Sequence, residues 1–279
     1  MRVILGIDIG GSTTKIVGLR PDGSILSMLR VQAEDPLTSL YGALGNFLSS
    51  NSLVLTDIER IVLTGVGASY VREDIYGIPT DRVDEFSASG IGGLTLSGAD
   101  RAVVVTMGTG TAFIWAEKTG EIRHLGGSGI GGGTLGGLCH KLVGMDRFGQ
   151  IKKLAANGDL SKVDLTIKDL SRDAAETLHP DMTASNFGNL AADASPADLA
   201  AGAVNLVLQA IGTMAVLCCQ CCQCETVVLI GSMTTLDQTC PAFQLFERLY
   251  NIRCIIPENA TFATAIGAAL SSLNRAGQQ

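Results

Sequence analysis

Residues 6–15 read "GIDIGGSTTK", and the parsing of the whole chain turns on this run. The apolar stretch Val3–Ile9 reads as a buried strand that ends at the pair Gly10-Gly11. Thr13–Leu19 resumes β character, "PDG" (21–23) turns the chain, and Ser24–Val31 forms a third strand. A hairpin that starts at a glycine pair differs from a dinucleotide-binding start, where a helix follows the glycines. The first strand delivers one carboxylate, Asp8, to the turn. Backbone N–H groups at Gly10 and Gly11, with the hydroxyls of Ser12 and Thr13, can ring a phosphate. Lys15 adds positive charge, and Asp8 can hold Mg²⁺, usually through water. A GxxxxGK[ST] loop does not occur.

Outward from this run the pattern recurs. Arg101–Met107 reads as a strand that enters "VTMGTGTA" (105–112), and Thr111–Ala116 and Glu121–Leu125 follow as strands around the turn "KTG". Strand, glycine turn, strand, turn, strand therefore occurs at 3–31 and again at 102–125, which predicts an internal duplication. Thr109 and Gly110 would face the first loop across a cleft. A third loop, "RHLGGSGIGGGT" (123–134), leads into a helical pattern over Gly133–Val143. Free N–H groups at such a helix start make an anion site. Three loops of this kind in one chain point to a nucleoside triphosphate cleft.

Between the repeats, Pro36–Ser49 is helical in pattern, and Arg60–Thr64 is a strand followed by "GVG". Asp81–Glu85 reads as a strand and Ser87–Ser97 as a helix. "VDEFSASG" (83–90) thus sets two carboxylates at a strand end. Transfer to an alcohol needs a base beside the acceptor hydroxyl, a task open to Glu85 or Asp84. The second half is mainly helical: Arg147–Ala156, Val163–Leu170, the long Pro196–Gln220, Leu236–Tyr250 and Thr261–Leu273. Strands Thr226–Ile230 and Arg253–Ile256 interrupt it.

Composition agrees with an α/β protein. Hydrophobic residues make up 46% of the 279 and aromatics only 5%, so the core is Ala, Val, Ile and Leu around buried strands. The net charge of −7 argues against a nucleic-acid face and leaves anion binding to local N–H groups, side chains or a metal. No run of about 18 apolar residues is present, so no membrane partner is expected. "CCQCCQC" (218–224) sits at the end of an apolar helix and reads as packed thiols rather than as cluster ligands. A cytoplasmic protein is expected.

The ordered set GIDIGG, EFSAS, MGTGT, GGSGIGGGT, "NGDLSKVDLTIKDL" (157–170), "TASNFG" (183–188) and VVLIGS resembles the type II pantothenate kinases, over almost the whole chain. These belong to the actin-like, sugar-kinase and Hsp70 ATPase superfamily. The resemblance implies a duplicated actin-like (ribonuclease H-like) α/β ATPase fold, with two domains, 1–88 and 89–279, around a central cleft. It implies phosphorylation of pantothenate by ATP and Mg²⁺ to 4'-phosphopantothenate, the first step toward coenzyme A, in a homodimer with helical contacts. By resemblance Glu85 is the general base, and Asp8, Gly10, Gly11, Ser12, Thr13 and Lys15 form the phosphate loop, with Asp8 the metal residue. Thr109 and Gly110 form the second loop, Gly131, Gly132, Gly133 and Thr134 line the nucleotide, Phe148 sits by the adenine, and Ser232 lies on the adenosine side. Two positions depart from the family pattern. His124 stands where an arginine is expected, with Arg123 one place earlier, and Ala112 stands where a hydroxyl is common. His124 or Arg123 would assist transfer. Two other readings keep the fold: a kinase for another small alcohol or an amino sugar, and an ATP-driven activator of 2-hydroxyacyl-CoA dehydratases. Those activators have a similar opening loop, but carry an iron–sulfur cysteine where this chain has GGSGIGGGT.

Overall fold

The computed structural model describes residues 2–32, 35–170 and 179–276; Met1 and 277–279, the ends of the two expected domains, lie outside the described residues. β1 (Val3–Ile9), β2 (Thr13–Leu19) and β3 (Ile25–Gln32) form an antiparallel meander. Helix α1 (Pro36–Ser50) follows, with Asp35 accepting from the Thr38 N–H at 2.7 Å as its cap. β4 (Ile58–Thr64) and β5 (Thr80–Arg82) then add parallel strands, giving the order β3-β2-β1-β4-β5. Helix α2 (Glu85–Ser97) leads to the second half. There β6 (Arg101–Met107), β7 (Thr111–Glu117) and β8 (Ile122–Ser128) form another antiparallel meander.

The chain continues through α3 (Gly132–Val143) and α4 (Phe148–Ala155) to a small ribbon of β9 (Leu165–Thr166) and β10 (Thr183–Ser185), with α5 (Ile167–Leu170) between them. Helix α6 (Pro196–Cys222), β11 (Thr226–Ile230), α7 (Thr239–Tyr250), β12 (Arg253–Ile255) and α8 (Ala263–Ala276) complete it. The second sheet runs β12-β11-β6-β7-β8. Read from β8, its winding repeats that of the first, so the duplication is topological. It extends to single residues. Gly65 after β4 and Gly231 after β11 have φ of +85° and +97°, a region open to glycine. A Cβ at Gly65 would lie 2.7 Å from the Ile9 carbonyl oxygen, and one at Gly231 2.5 Å from that of Met107.

The apolar faces explain the layers. Ile7, Ile9 and Ile16 meet Leu40, Leu44 and Phe47 of α1 on one side of the first sheet. The other side is closed from the far end of the chain: Ile4, Val17 and Val62 pack on Ala265, Ile266 and Ala269 of α8. Helix α2 in turn packs on the second sheet, its Leu94 against Val104 and Ile114. The expected boundary at 88/89 falls inside α2. Where α2 and α8 cross, a Cβ at Gly92 would lie 1.9 Å from the Ala263 carbonyl oxygen, and one at Gly267 1.9 Å from that of Ala88.

Helix α6 is long and apolar enough to cross a membrane by length and composition. Here Val204, Leu208, Ile211 and Ala215 are fully buried with Val103 and Val105 of the second sheet, so its apolarity makes a core. The expected helix over 163–170 forms only over its second half, α5 (Ile167–Leu170). Asp164 is buried and accepts from the Phe187 N–H at 2.8 Å and from Asn205 Nδ2 at 2.6 Å. These distant partners draw the segment into the β9–β10 ribbon and tie "TASNFG" to α6, overriding the local helical pattern.

Candidate active site

A cleft of about 1150 Å³ opens between the two sheets. Its floor begins at the end of β1. Asp8 and Lys15 are partners in the β1–β2 ladder, and Lys15 Nζ donates to Asp8 Oδ2 at 3.0 Å, both side chains being buried. Thr64 is in register with Asp8 on β4, and its buried hydroxyl has no hydrogen-bond partner among the described residues. The Gly10 N–H closes the first loop on the Thr13 carbonyl at 3.0 Å. The residues between, Gly11 and Ser12, line the cleft, as do Gly10 and Thr13 themselves. Ser12 Oγ lies 3.4 Å from Thr109 Oγ1, so the first and second loops meet across the cleft.

The third loop differs from its expected form. β8 does not stop at Leu125 but runs through Gly126 and Gly127 to Ser128. At the start of α3 the N–H of Gly132 donates to the Gly108 carbonyl at 2.8 Å, and that of Gly133 to Thr109 at 2.9 Å. These two N–H groups, expected to be free for an anion, are engaged with the second loop. The glycines permit this docking: a Cβ at Gly131 would lie 2.7 Å from the Thr109 carbonyl oxygen, and one at Gly132 3.0 Å from that of Gly108. Gly132 and Gly133 line the cleft beside Thr109 and Gly110. Gly131 and Thr134 do not. Thr134 Oγ1 accepts from the Gly131 N–H at 3.3 Å and donates to the Gly129 carbonyl at 2.7 Å, bracing the loop from behind.

Strand β5 ends at Arg82, three residues before the expected end. Asp84 caps α2, accepting from the N–H groups of Phe86 at 2.9 Å and Ser87 at 3.2 Å. That engagement separates the two candidate bases: Asp84 holds the helix, and Glu85, its first residue, lines the cleft. Burial raises the Glu85 carboxyl above its ordinary value; the Asp8 charge adds to the rise, Lys15 opposes it, and Asp84 adds a smaller push.

His124 and Arg123 part company. A bulge at Leu125 breaks the β7–β8 register, with Ile114 opposite His124 and Phe113 opposite Gly126. The extra residue flips the alternation, so His124 and Gly127 both reach the cleft. The His124 ring stacks on Phe86, centroids 4.0 Å apart and planes within 8°. Arg123 does not line the cleft. It faces Glu121 at 3.8 Å, both exposed, and its charge acts on the Cys222 thiol at the end of α6. This corrects its expected place beside the reacting groups.

Phe148 at the start of α4 and Ser232 after β11 also line the cleft. Sequence reasoning did not single out Arg30 and Gln32 of β3, Asp146 and Arg147 ahead of α4, or Thr264 of α8, all of which line it. Arg30 and Gln32 had a usable signal, since they alternate with Leu29 and Val31 on a strand. Thr264, whose hydroxyl is 3.0 Å from that of Ser89, had none.

Two like-wound sheets, closing on glycine loops from both halves and on a carboxylate at a helix start, define an actin-like phosphotransferase fold. Among solved structures, an activator of 2-hydroxyisocaproyl-CoA dehydratase from Clostridium difficile with bound ADPNP superposes with a TM-score of 0.72 at 18% identity, covering 99% of this chain and 96% of its own. A ROK family glucokinase from Streptomyces griseus, in complex with glucose and AMPPNP, gives 0.61 at 13% identity over 96% and 98% of the two chains. In sequence, the Fumble family model matches residues 102–270. The type II pantothenate kinase of Staphylococcus haemolyticus is 30% identical over 275 residues, 95% of this chain and 98% of its own. The chain belongs to the type II pantothenate kinase family.

Proposed function

We propose that the chain is a cytoplasmic, homodimeric kinase that transfers the γ-phosphoryl group of ATP to the 4'-hydroxyl of pantothenate. The observation that carries the mechanism is the meeting of Glu85, Asp8 and Lys15 in one cleft with the Ser12–Thr109 junction of the two phosphate-side loops. Glu85 takes the proton of the acceptor hydroxyl as base, and its raised pKa suits that role. Ser12, Thr13 and the N–H groups of the first loop receive phosphate oxygens, and Thr109 receives them from the other half. Gly132 and Gly133 border the nucleotide, with Phe148 and Ser232 on its adenosine side. His124 donates a hydrogen bond toward the transferring group and, through its stack on Phe86, steadies the first turn of α2 that bears Glu85.

Mg²⁺ fits this donor set. Lys15 engages only one oxygen of Asp8, and the unpartnered Thr64 hydroxyl in register with Asp8 suits a water shell better than bare protein. Asp8 and the phosphate oxygens would hold the ion, which would offset triphosphate charge. The homodimer finds support in α6, an apolar helix that leaves the large side chain of Leu217 exposed near its C-terminal end. In domain terms, α8 belongs with the first sheet and α2 with the second.

ADP release measured over pantothenate, pantetheine and hexosamines tests the acceptor. Stimulation by pantothenate is expected, and stimulation by a hexosamine alone would move the chain to the amino-sugar reading. Glu85→Gln is expected to abolish transfer while ATP binding persists. Retained transfer would remove Glu85 as the base.

A further inference from the structure

Among the described residues, the cleft wall formed by the first sheet carries one cation that the mechanism leaves unused. Asp8, Lys15 and Arg30 are successive ladder partners on β1, β2 and β3, and ladder partners project from the same face of a sheet. All three line the cleft. Lys15 is engaged with Asp8 at 3.0 Å, so its charge is largely offset. Arg30 has no hydrogen-bond or ion-pair partner among the described residues and is exposed to the cleft. Gln32, two residues on, shares its face and its place in the lining, opposite Thr13. The result is a guanidinium and an amide, both with donors that no described residue takes up, at the β3 edge of the wall.

Electrostatics then decides what can lie there. The protein carries a net charge of −7, so an anionic acceptor needs a local cation to enter the cleft. Glu85, with Asp84 behind it and Asp8 beside it, repels an acceptor carboxylate from the reacting end. Two strand spacings separate Asp8 from Arg30, about 10 Å. An extended acceptor with a hydroxyl at one end and a carboxylate at the other can place the first at Glu85 and the second at the β3 edge. A guanidinium accepts a carboxylate in a two-bond fork, which adds direction to the attraction.

We infer that Arg30, assisted by Gln32, binds the carboxylate of the acceptor and so selects acidic over neutral alcohols. This rests on the proposed pantothenate reading and names the group that enforces it. The site sits on the wall opposite His124 and sets acceptor affinity rather than the chemical step.

The test compares Arg30→Met with the wild-type chain on pantothenate and on pantetheine, whose corresponding end is a neutral amide. The expected result is a KM for pantothenate raised about tenfold or more, with the KM for pantetheine and for ATP changed by less than about twofold. Arg30→Lys, which keeps charge but loses the fork, should fall between. Equal increases for both acceptors would overturn the inference and move Arg30 to the phosphates, and no increase for either would leave it a solvated edge residue. The pantothenate reading itself fails differently, through absent turnover of pantothenate by the wild-type chain, which would remove both.

Discussion

At the scale of single residues, Glu85 and Asp84 show how one position in a backbone separates two like groups. As a strand end, "DE" offers two equivalent carboxylates. As a helix start, the first is consumed by capping and the second projects into the cleft. The raised pKa of Glu85 has a signed consequence. With Glu85 as the proposed base, transfer needs the ionised form, so kcat should fall as pH drops through a value above the usual carboxylate range of about 4.3. A kcat–pH profile measures this, and an acid limb at an ordinary glutamate position would count against Glu85. Stability carries the opposite sign. A carboxyl whose folded pKa is raised binds its proton more tightly when folded, so its contribution declines as pH rises from the unfolded to the folded value. Glu85→Gln should therefore melt at a higher temperature than wild type at neutral pH, and the difference should vanish below the unfolded pKa.

At the scale of elements, the cysteine-rich end of α6 is a packing solution. Cys219 is buried, and its thiol is pushed up to about 12, first by burial and then by Cys224 and Cys254. Burial raises Cys254 to about 12 as well, and Cys218 to about 11. Thiols with such values are poor nucleophiles at neutral pH, whereas Cys221 and Cys240 are exposed. Brief maleimide labelling of the native chain, read by peptide mass, should modify Cys221 and Cys240 and spare Cys219 and Cys254. Fast labelling of Cys219 would show that α6 opens at its end. Helix α3 teaches a similar lesson. Its glycine-rich start reads as an anion cradle, yet two of its N–H groups dock on the second loop. The run "GGSGIGGGT" signals a close approach, and the sequence cannot say whether the approaching group is a ligand or the chain's own backbone.

At the scale of the whole molecule, the two halves are joined through α2 and α8, each packed on a sheet while crossing the other. Gly92 and Gly267 allow that crossing, since a side chain at either would meet backbone. Gly267→Ala is expected to cost about 3 kcal/mol, read as a lower midpoint in urea, and to raise the KM for ATP because the halves are displaced about the cleft. Unchanged stability and KM would mean that the helices separate freely. The repeated order of strands, the glycine loops at their turns and the delivery of Asp8 to the first of them were legible from residues 3–31 and 102–125, because buried strands and hairpin glycines are local signals that alternate with a short period. Which carboxylate faces the cleft was legible only to within a pair. Which N–H groups remain free, which face His124 takes after the Leu125 bulge, that Arg123 turns away, and that α8 returns to close the first sheet depend on contacts between residues far apart in the chain. Local pattern carries the identity of an element. Register, facing and partnership are set when distant backbones compete for the same hydrogen bonds and the same buried space, and only the tertiary structure decides those.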